Sequence, residues 1–344
     1  MLETSDPTGY LVSMAKLPKK SRCATGIVAA VYQALEKREA ESKPRTHLGA
    51  SQIGKSCSRE LWYSFRRCHT SQFSGRIIRV FATGHLQEPR IIEDLEAAGM
   101  KVGKSQKWFP EPETDGHFSG SIDGVVWGVP GYPDIPHLLE IKTSKASYWR
   151  SLEKHGVAKA VPAHYAQMQT YMRWAGLTRA LYVSANKDTD ELYIERVKYD
   201  EKASLACLDV AKAVIYSHDP LPKISEDPKW FECRWCSAHS ICHGEEIPPP
   251  HCRNCVQATP IADGRWSCEA GGPIDDGLCD RHAMLPSLVK KCRVVDATSG
   301  GIVYAVDGAE GRRFYNGDPA KCPPDLPRVN SADLSAAVSV ELEV

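Results

Sequence analysis

Residues 137–144, HLLEIKTS, constrain the fold more than any other stretch of the chain. Apolar residues lead into Glu140, Ile141 and Lys142, and the pattern reads as a strand that is largely buried. Residues two apart on a strand share a face. Glu140 and Lys142 therefore point together, while Ile141 points into the core. An E-x-K pair alone is common and usually marks a solvated strand face, so its meaning depends on what surrounds it.

The surroundings alternate between helix and strand patterns. TGIVAAVYQALEKREAES reads as an amphipathic helix, and SQIGKSCSRELWYSFRR as a helix start and helix carrying Cys57. RIIRVFATGHLQEPRIIEDLEAAG has helical spacing with breaks expected near Gly84 and Pro89. KVGKSQKWF, GHFSGSIDGVVWGV and HLLEIKT read as strands. SYWRSLEKHG and PAHYAQMQTYMRWAG read as helices, RALYVSAN and ELYIERVKY as paired strands, and DEKASLACLDVAKAVIYSH as a further helix.

At roughly 150 residues per domain, 344 residues suggest about two domains. GEEIPPP precedes a cysteine- and glycine-rich composition, which places a boundary near Pro248. The expected organisation is a loose basic arm over 1–24, a core domain over 25–247, a small metal-binding module over 248–292, and a β-rich segment with a loosely ordered tail over 293–344. No apolar run approaches the roughly 20 residues of a membrane span, and MLETSDPTGY lacks the basic-then-apolar pattern of a secretory signal. A cytoplasmic protein without a membrane partner is expected. Thirteen cysteines in that reducing setting suggest metals rather than disulfides. The net charge is zero, yet residues 16–90 carry 15 Lys or Arg against 5 Asp or Glu. A basic segment beside an acidic remainder suits a phosphate-binding face next to a carboxylate site, or simply a solvated helical surface.

Asp123, in SGSIDGVV, lies in a strand-like run able to pair beside LLEIK. Carboxylates on neighbouring strands can hold Mg²⁺ or Mn²⁺, hard ions that take oxygen ligands. Such an ion stabilises charge on a phosphate and acidifies water, and Lys142 can orient that water or offset phosphate charge. Gln167 and Tyr171, four apart on a helix, share a face, as do His85 and Glu88, three apart. His117 alternates with Ser119, Ser121 and Asp123, so on an unbroken strand it shares the Asp123 face and can touch substrate. Arg76 and Arg79 are further candidate DNA contacts.

Asp123, then Glu140-x-Lys142, then Gln167-x-x-x-Tyr171 resembles the PD-(D/E)XK nuclease superfamily, in its RecB-like and phage exonuclease branch. The resemblance covers roughly 50–245. It implies an α/β core with a mixed central sheet flanked by helices, and a metal-dependent DNA exonuclease in phage recombination, replication or DNA breakdown. A structure-specific or nicking endonuclease and a non-catalytic DNA-binding module are the alternatives. By position, Asp123, Glu140 and the Ile141 carbonyl would be metal ligands, with Glu88 or His85 supplying another, and Lys142 the catalytic lysine. Gln167 and Tyr171 would complete the site. Ile122 stands where the signature has proline. DNA is the expected partner, linear or single-stranded, together with a recombination or replication protein. The oligomeric state is open.

WFECRWCSAHSICHG supplies Cys233, Cys236 and Cys242, one ligand short of a tetrahedral site or a cubane cluster. Cys57 is the best candidate for the fourth place and Cys68 a weaker substitute. A cysteine ahead of a nuclease core and three behind it resembles the iron–sulfur nucleases of the AddB and CRISPR spacer-acquisition type. That resemblance implies a [4Fe–4S] cluster stapling the ends of the domain. A zinc site using His239 or His243 instead of Cys57 competes with it. Downstream, Cys252-x2-Cys255, Cys268, Cys279 and His282 form a zinc-ribbon-like pattern. Zn²⁺ held by the four cysteines is expected, with His282 the runner-up for the last place. Cys23, Cys207, Cys292 and Cys322 read as plain thiols.

Overall fold

The structure, a computed structural model, describes residues 24–42, 45–69, 72–272, 274 and 279–339. The arm expected over 1–24, and Cys23 with it, lies outside the described residues except for its last position. The chain divides into two units, Met1–Lys43 with Gln72–Thr83, and Pro44–Ser71 with Gly84–Val344.

The first unit contains α1 (Ala24–Ala40). Gly75 opens the next long helix against α1, where a Cβ would sit 2.4 Å from the Tyr32 Cα. Its N–H donates to Glu36 Oε1 at 2.7 Å, so both the missing side chain and the free donor are used.

In the second unit, β1 (Leu48–Gly49) precedes α2 (Ser58–Phe65). Helix α3 (Gly75–Ala97) contains the division between the units and runs unbroken through Gly84 and Pro89, against the breaks expected there. Proline costs an interior helix about 3 kcal/mol. Buried Ile91 and Leu95, on the following turns, offset it by packing against the sheet.

The strands β2 (Lys101–Gly103), β3 (Trp108–Pro110), β4 (Phe118–Ser121), β5 (Gly124–Trp127) and β6 (His137–Ser144) follow. Helices α4 (Ala146–His155), α5 (Val157–Ala160) and α6 (Pro162–Ala175) then cross over to β7 (Arg179–Asn186). Strand β8 (Leu192–Lys198) and helix α7 (Glu201–Tyr216) complete this part. The mixed central sheet runs β2-β5-β6-β7-β8. Strands β6 and β7 are parallel, as the helical crossover requires, and the other pairs are antiparallel. A smaller sheet, β1-β4-β3, stands beside it. The strand expected over 116–129 is therefore two strands in different sheets, and so is the one expected over 101–109.

Strand β6 carries buried apolar residues on both faces because both are covered. Leu139 and Ile141 pack with Ile91, Leu95, Leu181 and Val183. Leu138 packs with Met168, Tyr171, Ala180 and Tyr182 on the other face. Truncating a buried leucine here to alanine would cost about 2–5 kcal/mol.

Helix α8 (His239–Cys242) leads to the hairpin β9 (Ala258–Ile261) and β10 (Arg265–Cys268). The antiparallel sheet β11 (Cys292–Thr298), β12 (Gly301–Val306) and β13 (Arg313–Gly317) follows. Packing is continuous across Pro248. Cys255, Ala258 and Trp266 join the core of Phe65 and Phe118, and Met284, Leu288, Tyr304 and Phe314 pack with Trp62 and Tyr63 of α2. Within the tail expected to be loose, Leu334–Val338 form α9, with Leu334 and Val338 buried in the same core, and residues 340–344 lie outside the described residues. Among the described residues no helix is long and apolar enough to cross a membrane.

Candidate functional site

Pairing between β5 and β6 ends at Gly124 opposite Leu139. Beyond that point the chain turns away into β4, and Asp123 occupies the turn. Its Oδ2 accepts a 2.7 Å hydrogen bond from the Ile141 N–H, replacing the strand partner that has left. The Asp123 carboxylate thus sits at β6 between Glu140 and Lys142.

Glu140 is fully buried, with 0% exposure. One carboxylate oxygen, Oε1, accepts from the Lys142 ammonium. The other, Oε2, is buried with no hydrogen-bond partner among the described residues. Burial pushes the Glu140 carboxyl up to about 7; Lys142 pulls against this, and the charges of Asp123 and Glu88 add to it. For Lys142, burial opposes the charge, but Glu140 and Asp123 outweigh it and hold the pKa above its ordinary value. The result is a lysine kept charged beside a carboxylate with an unused oxygen.

Glu88 reaches this group from α3. Its carboxyl is raised first by burial and then by Asp123, with His85 and Lys142 opposing. His85 Nδ1 stands 3.5 Å from Glu88 Oε1 but is mostly exposed. Gln167 and Tyr171 are buried on α6. Burial raises the Tyr171 phenol, and Glu140 and Asp123 raise it further. Gly120 makes room for it, since a Cβ there would lie 2.6 Å from the Tyr171 hydroxyl oxygen. The structure thus brings together Asp123, Glu140, Lys142, Glu88, Gln167 and Tyr171.

Two residues of this neighbourhood have no counterpart in the sequence reading. Tyr182 is the register partner of Glu140 on β7, and its hydroxyl lies 2.9 Å from His164 Nδ1. Burial, then the charge of Lys142, lowers the His164 pKa to about 3, so the ring is neutral. His164 precedes Gln167 and Tyr171 by three and seven residues, one helical face, and that spacing could have signalled it. Tyr182 could be found only from the register of a crossover pair.

Other candidates stand apart. His117 does not share the Asp123 face, because the strand is interrupted between them. It is fully buried, its Nε2 lies 2.9 Å from the Ile261 carbonyl oxygen, and its ring packs edge-on against Phe65 and Trp266. Arg76 and Arg79 lie on the part of α3 that belongs to the first unit.

Cys57, Cys233, Cys236 and Cys242 all line one cavity of about 350 Å³. Cys57 immediately precedes α2, Cys233 and Cys236 bracket a tight 3-10 turn, and Cys242 ends α8. Burial raises the thiols of Cys233 and Cys236, the latter to about 11, and neighbouring Cys57 adds to both. His239 and His243 line the same cavity. Cys68, the weaker substitute, is buried with Trp62 and Tyr63 instead.

In the second group, register returns Cys268 opposite Ala258, three residues beyond Cys255. Burial pushes the Cys255 thiol up to about 11, and Cys268 and Cys252 add to the rise. The chain after Cys279 comes back beside Cys255, whose sulfur accepts from the Ala283 N–H at 3.5 Å. His282 does not fit the ligand role considered for it. Its Nε2 lies 3.0 Å from the His251 carbonyl oxygen and its Nδ1 2.8 Å from the Ser331 hydroxyl, so neither ring nitrogen is left for a metal. Among the described residues no three His, Cys, Asp or Glu side chains converge as a ready single-ion site.

No protein-family model and no curated protein matches the sequence. Solved structures match in part. The crystal structure of SSO0001 is 14% identical, with 63% of this chain and 96% of that one covered and a TM-score of 0.39. The alkaline exonuclease LHK-Exo from Laribacter hongkongensis is 18% identical, with 54% and 90% covered and a TM-score of 0.36. LHK-Exo in complex with dAMP is 21% identical over the same shares, also at 0.36.

Proposed function

We propose that the chain is a divalent-metal-dependent deoxyribonuclease that hydrolyses phosphodiester bonds from DNA ends. The observation that carries this reading is the buried Glu140 carboxylate, with one oxygen on Lys142 and the other unpartnered, beside Asp123. A buried carboxylate oxygen without a donor is costly, and a cation offsets that cost.

Asp123, Glu140 and Glu88 are the oxygen donors that would hold a hard divalent ion, with substrate and water completing a site that the three do not close by themselves. The Ile141 carbonyl shares its edge of β6 with the N–H that meets Asp123. A bound ion would neutralise phosphate charge and acidify water. Lys142 supplies a fixed positive charge toward the phosphate. Glu140 holds that ammonium in place, and the Tyr171 and Tyr182 rings wall the site. His85, being exposed, is available to an incoming strand. Exonuclease action in phage DNA recombination, replication or breakdown is the biological setting proposed.

The four cysteines that line the 350 Å³ cavity are the thiolates that would hold a [4Fe–4S] centre, which takes four such ligands. It would tie residue 57 to residues 233–242 and so close the ends of the domain. Cys252, Cys255, Cys268 and Cys279 would hold Zn²⁺.

Labelled linear and covalently closed circular DNA, incubated with Mg²⁺ or Mn²⁺, test the proposal. Metal-dependent loss of linear DNA alone, abolished by Asp123→Ala and Lys142→Ala, is expected. Cutting of the circle would make the enzyme an endonuclease, and equal DNA loss in wild type and variants would remove the site. Iron analysis of anaerobically purified protein tests the cluster, and a protein holding zinc alone would overturn it.

A further inference from the structure

We propose that Trp230, Phe231 and Trp235 form a stacking platform for single-stranded DNA, an inference that rests on the nuclease reading above. Large aromatic side chains are rarely left in water as a group. Here three of them, within six residues, are 43%, 60% and 79% exposed.

The backbone beneath them is tightly wound. The Trp230 N–H donates to the Asp227 carbonyl, the Arg234 N–H to the Trp230 carbonyl at 2.9 Å, and the Cys236 N–H to the Cys233 carbonyl at 3.0 Å. The rings are therefore presented on a fixed frame, which lowers the ordering cost of binding. Trp230 and Phe231 lie with ring centroids 5.2 Å apart, tilted at 51°. Phe231 and Trp235 stand at the cavity lined by the four cysteines, and the Arg234 guanidinium lies 5.1 Å from the Trp235 ring centroid.

Basic side chains are interleaved with the rings, and the neighbouring carboxylates each have a hydrogen-bond partner. Glu226 is engaged by Lys223 at 2.9 Å, Glu232 accepts from the Ser56 hydroxyl at 2.8 Å, and Asp227 accepts from the Lys229 N–H at 2.9 Å. Lys229 and Arg234 have no carboxylate partner among the described residues. Exposed π-faces with interleaved cations suit unpaired bases on a phosphate chain. They suit a duplex poorly, because its bases are already stacked.

The test measures binding in the Asp123→Ala background, where the nuclease reading leaves DNA intact. A labelled oligothymidylate and a duplex are titrated onto that protein and onto the same protein carrying Trp235→Ala, Trp230→Ala or Arg234→Glu. Thermal melting verifies that each variant is folded. Base stacking is worth about 1–3 kcal/mol per base, so Trp235→Ala should weaken single-strand binding by roughly 5- to 150-fold and duplex binding little. Intrinsic tryptophan fluorescence should be quenched by the oligothymidylate, and Arg234→Glu should weaken binding and flatten its salt dependence. Unchanged single-strand affinity in all the variants overturns the platform. So does a change confined to self-association in sedimentation, which would make this face a contact between copies. Because wild-type cleavage of linear DNA is measured separately, failure of the platform and failure of the nuclease reading are distinguishable.

Discussion

Two buried polar regions of this molecule are built on opposite principles. Around His282 every polar group is answered. Asn316 Nδ2 donates to the Ser331 hydroxyl oxygen and to the Val329 carbonyl, its Oδ1 accepts from the Met284 N–H, and Asn254 Nδ2 donates to the Pro249 carbonyl. With the two ring-nitrogen contacts of His282, this network joins residues 249–254, 282–284, 316 and 329–331. Around Glu140, by contrast, an oxygen is left over and like charges are crowded. A closed network spends its polarity on holding the fold, whereas an open one keeps polarity available for something that arrives.

The sharpest way to break this contrast is to remove a charge from the open region. Lys142→Ala and Asp123→Ala should each lower DNA hydrolysis by at least about 10²–10³-fold, the scale of losing a positioned group that meets developing charge. Melting temperature should fall more for Lys142→Ala, which strips the buried Glu140 of its ammonium, than for Asp123→Ala, so hydrolysis is compared per folded molecule. A variant that loses activity only in proportion to lost folded protein would make the open region structural after all.

Next in size is the closed region. His282→Ala removes the ring contacts to the Ser331 hydroxyl and the His251 carbonyl oxygen, and should destabilise the protein by about 1–3 kcal/mol. Hydrolysis per folded molecule should stay at the wild-type level, as denaturant melts paired with active-site titration would show. Gly120→Ala probes the boundary between packing and chemistry. The new Cβ meets the Tyr171 hydroxyl, so a loss of about 1–3 kcal/mol is expected, together with slower hydrolysis because Tyr171 must shift. A drop in stability with unchanged kcat would place Tyr171 outside the chemistry.

The smallest effects are pH-dependent, and the two regions should differ in sign. The folded state holds the Glu140 pKa up at about 7, above the usual 4.5. Its stabilising contribution is complete below about 4.5 and is lost as pH rises through 7. Wild type should therefore lose ground to Glu140→Gln between pH 5 and 8. Burial, then the charge of His251, lowers the His282 pKa to about 4 from 6.5, though a hydrogen bond to the His251 backbone opposes them. That contribution is present above 6.5 and is lost as pH falls toward 4, so the deficit of His282→Ala should shrink in acid. Melts across this range would show whether the slopes oppose, and parallel slopes would remove the distinction.

Much of the candidate site was legible because its spacing is local. Glu140 and Lys142 share a face by the two-residue repeat of a strand, and Gln167 and Tyr171 by the turn of a helix. The breaks expected in α3 failed because a local penalty at Pro89 was outweighed by distant burial of Ile91 and Leu95. The face assigned to His117 failed because alternation holds only within an unbroken strand, and the strand stops short of Asp123. The tail was read as loose because LSAAV has little local signal, yet Leu334 and Val338 find a core made by α2 and β12.

By itself the sequence determined which residues can act as a unit: an acidic and a basic side chain on one strand face, paired residues on one helix face, and cysteines three apart in a turn. Tertiary structure alone decided that Asp123 meets β6 where β5 departs, and that Tyr182 faces Glu140 across a parallel crossover. It also decided that one oxygen of Glu140 has no donor among the described residues, and it sets Cys57 on one cavity with Cys233, Cys236 and Cys242, the grouping that the resemblance implied. The physical reason is range. Local geometry repeats every two or every 3.6 residues and can be counted along a chain, whereas register, burial and the fate of each buried polar atom depend on which distant segments pack together.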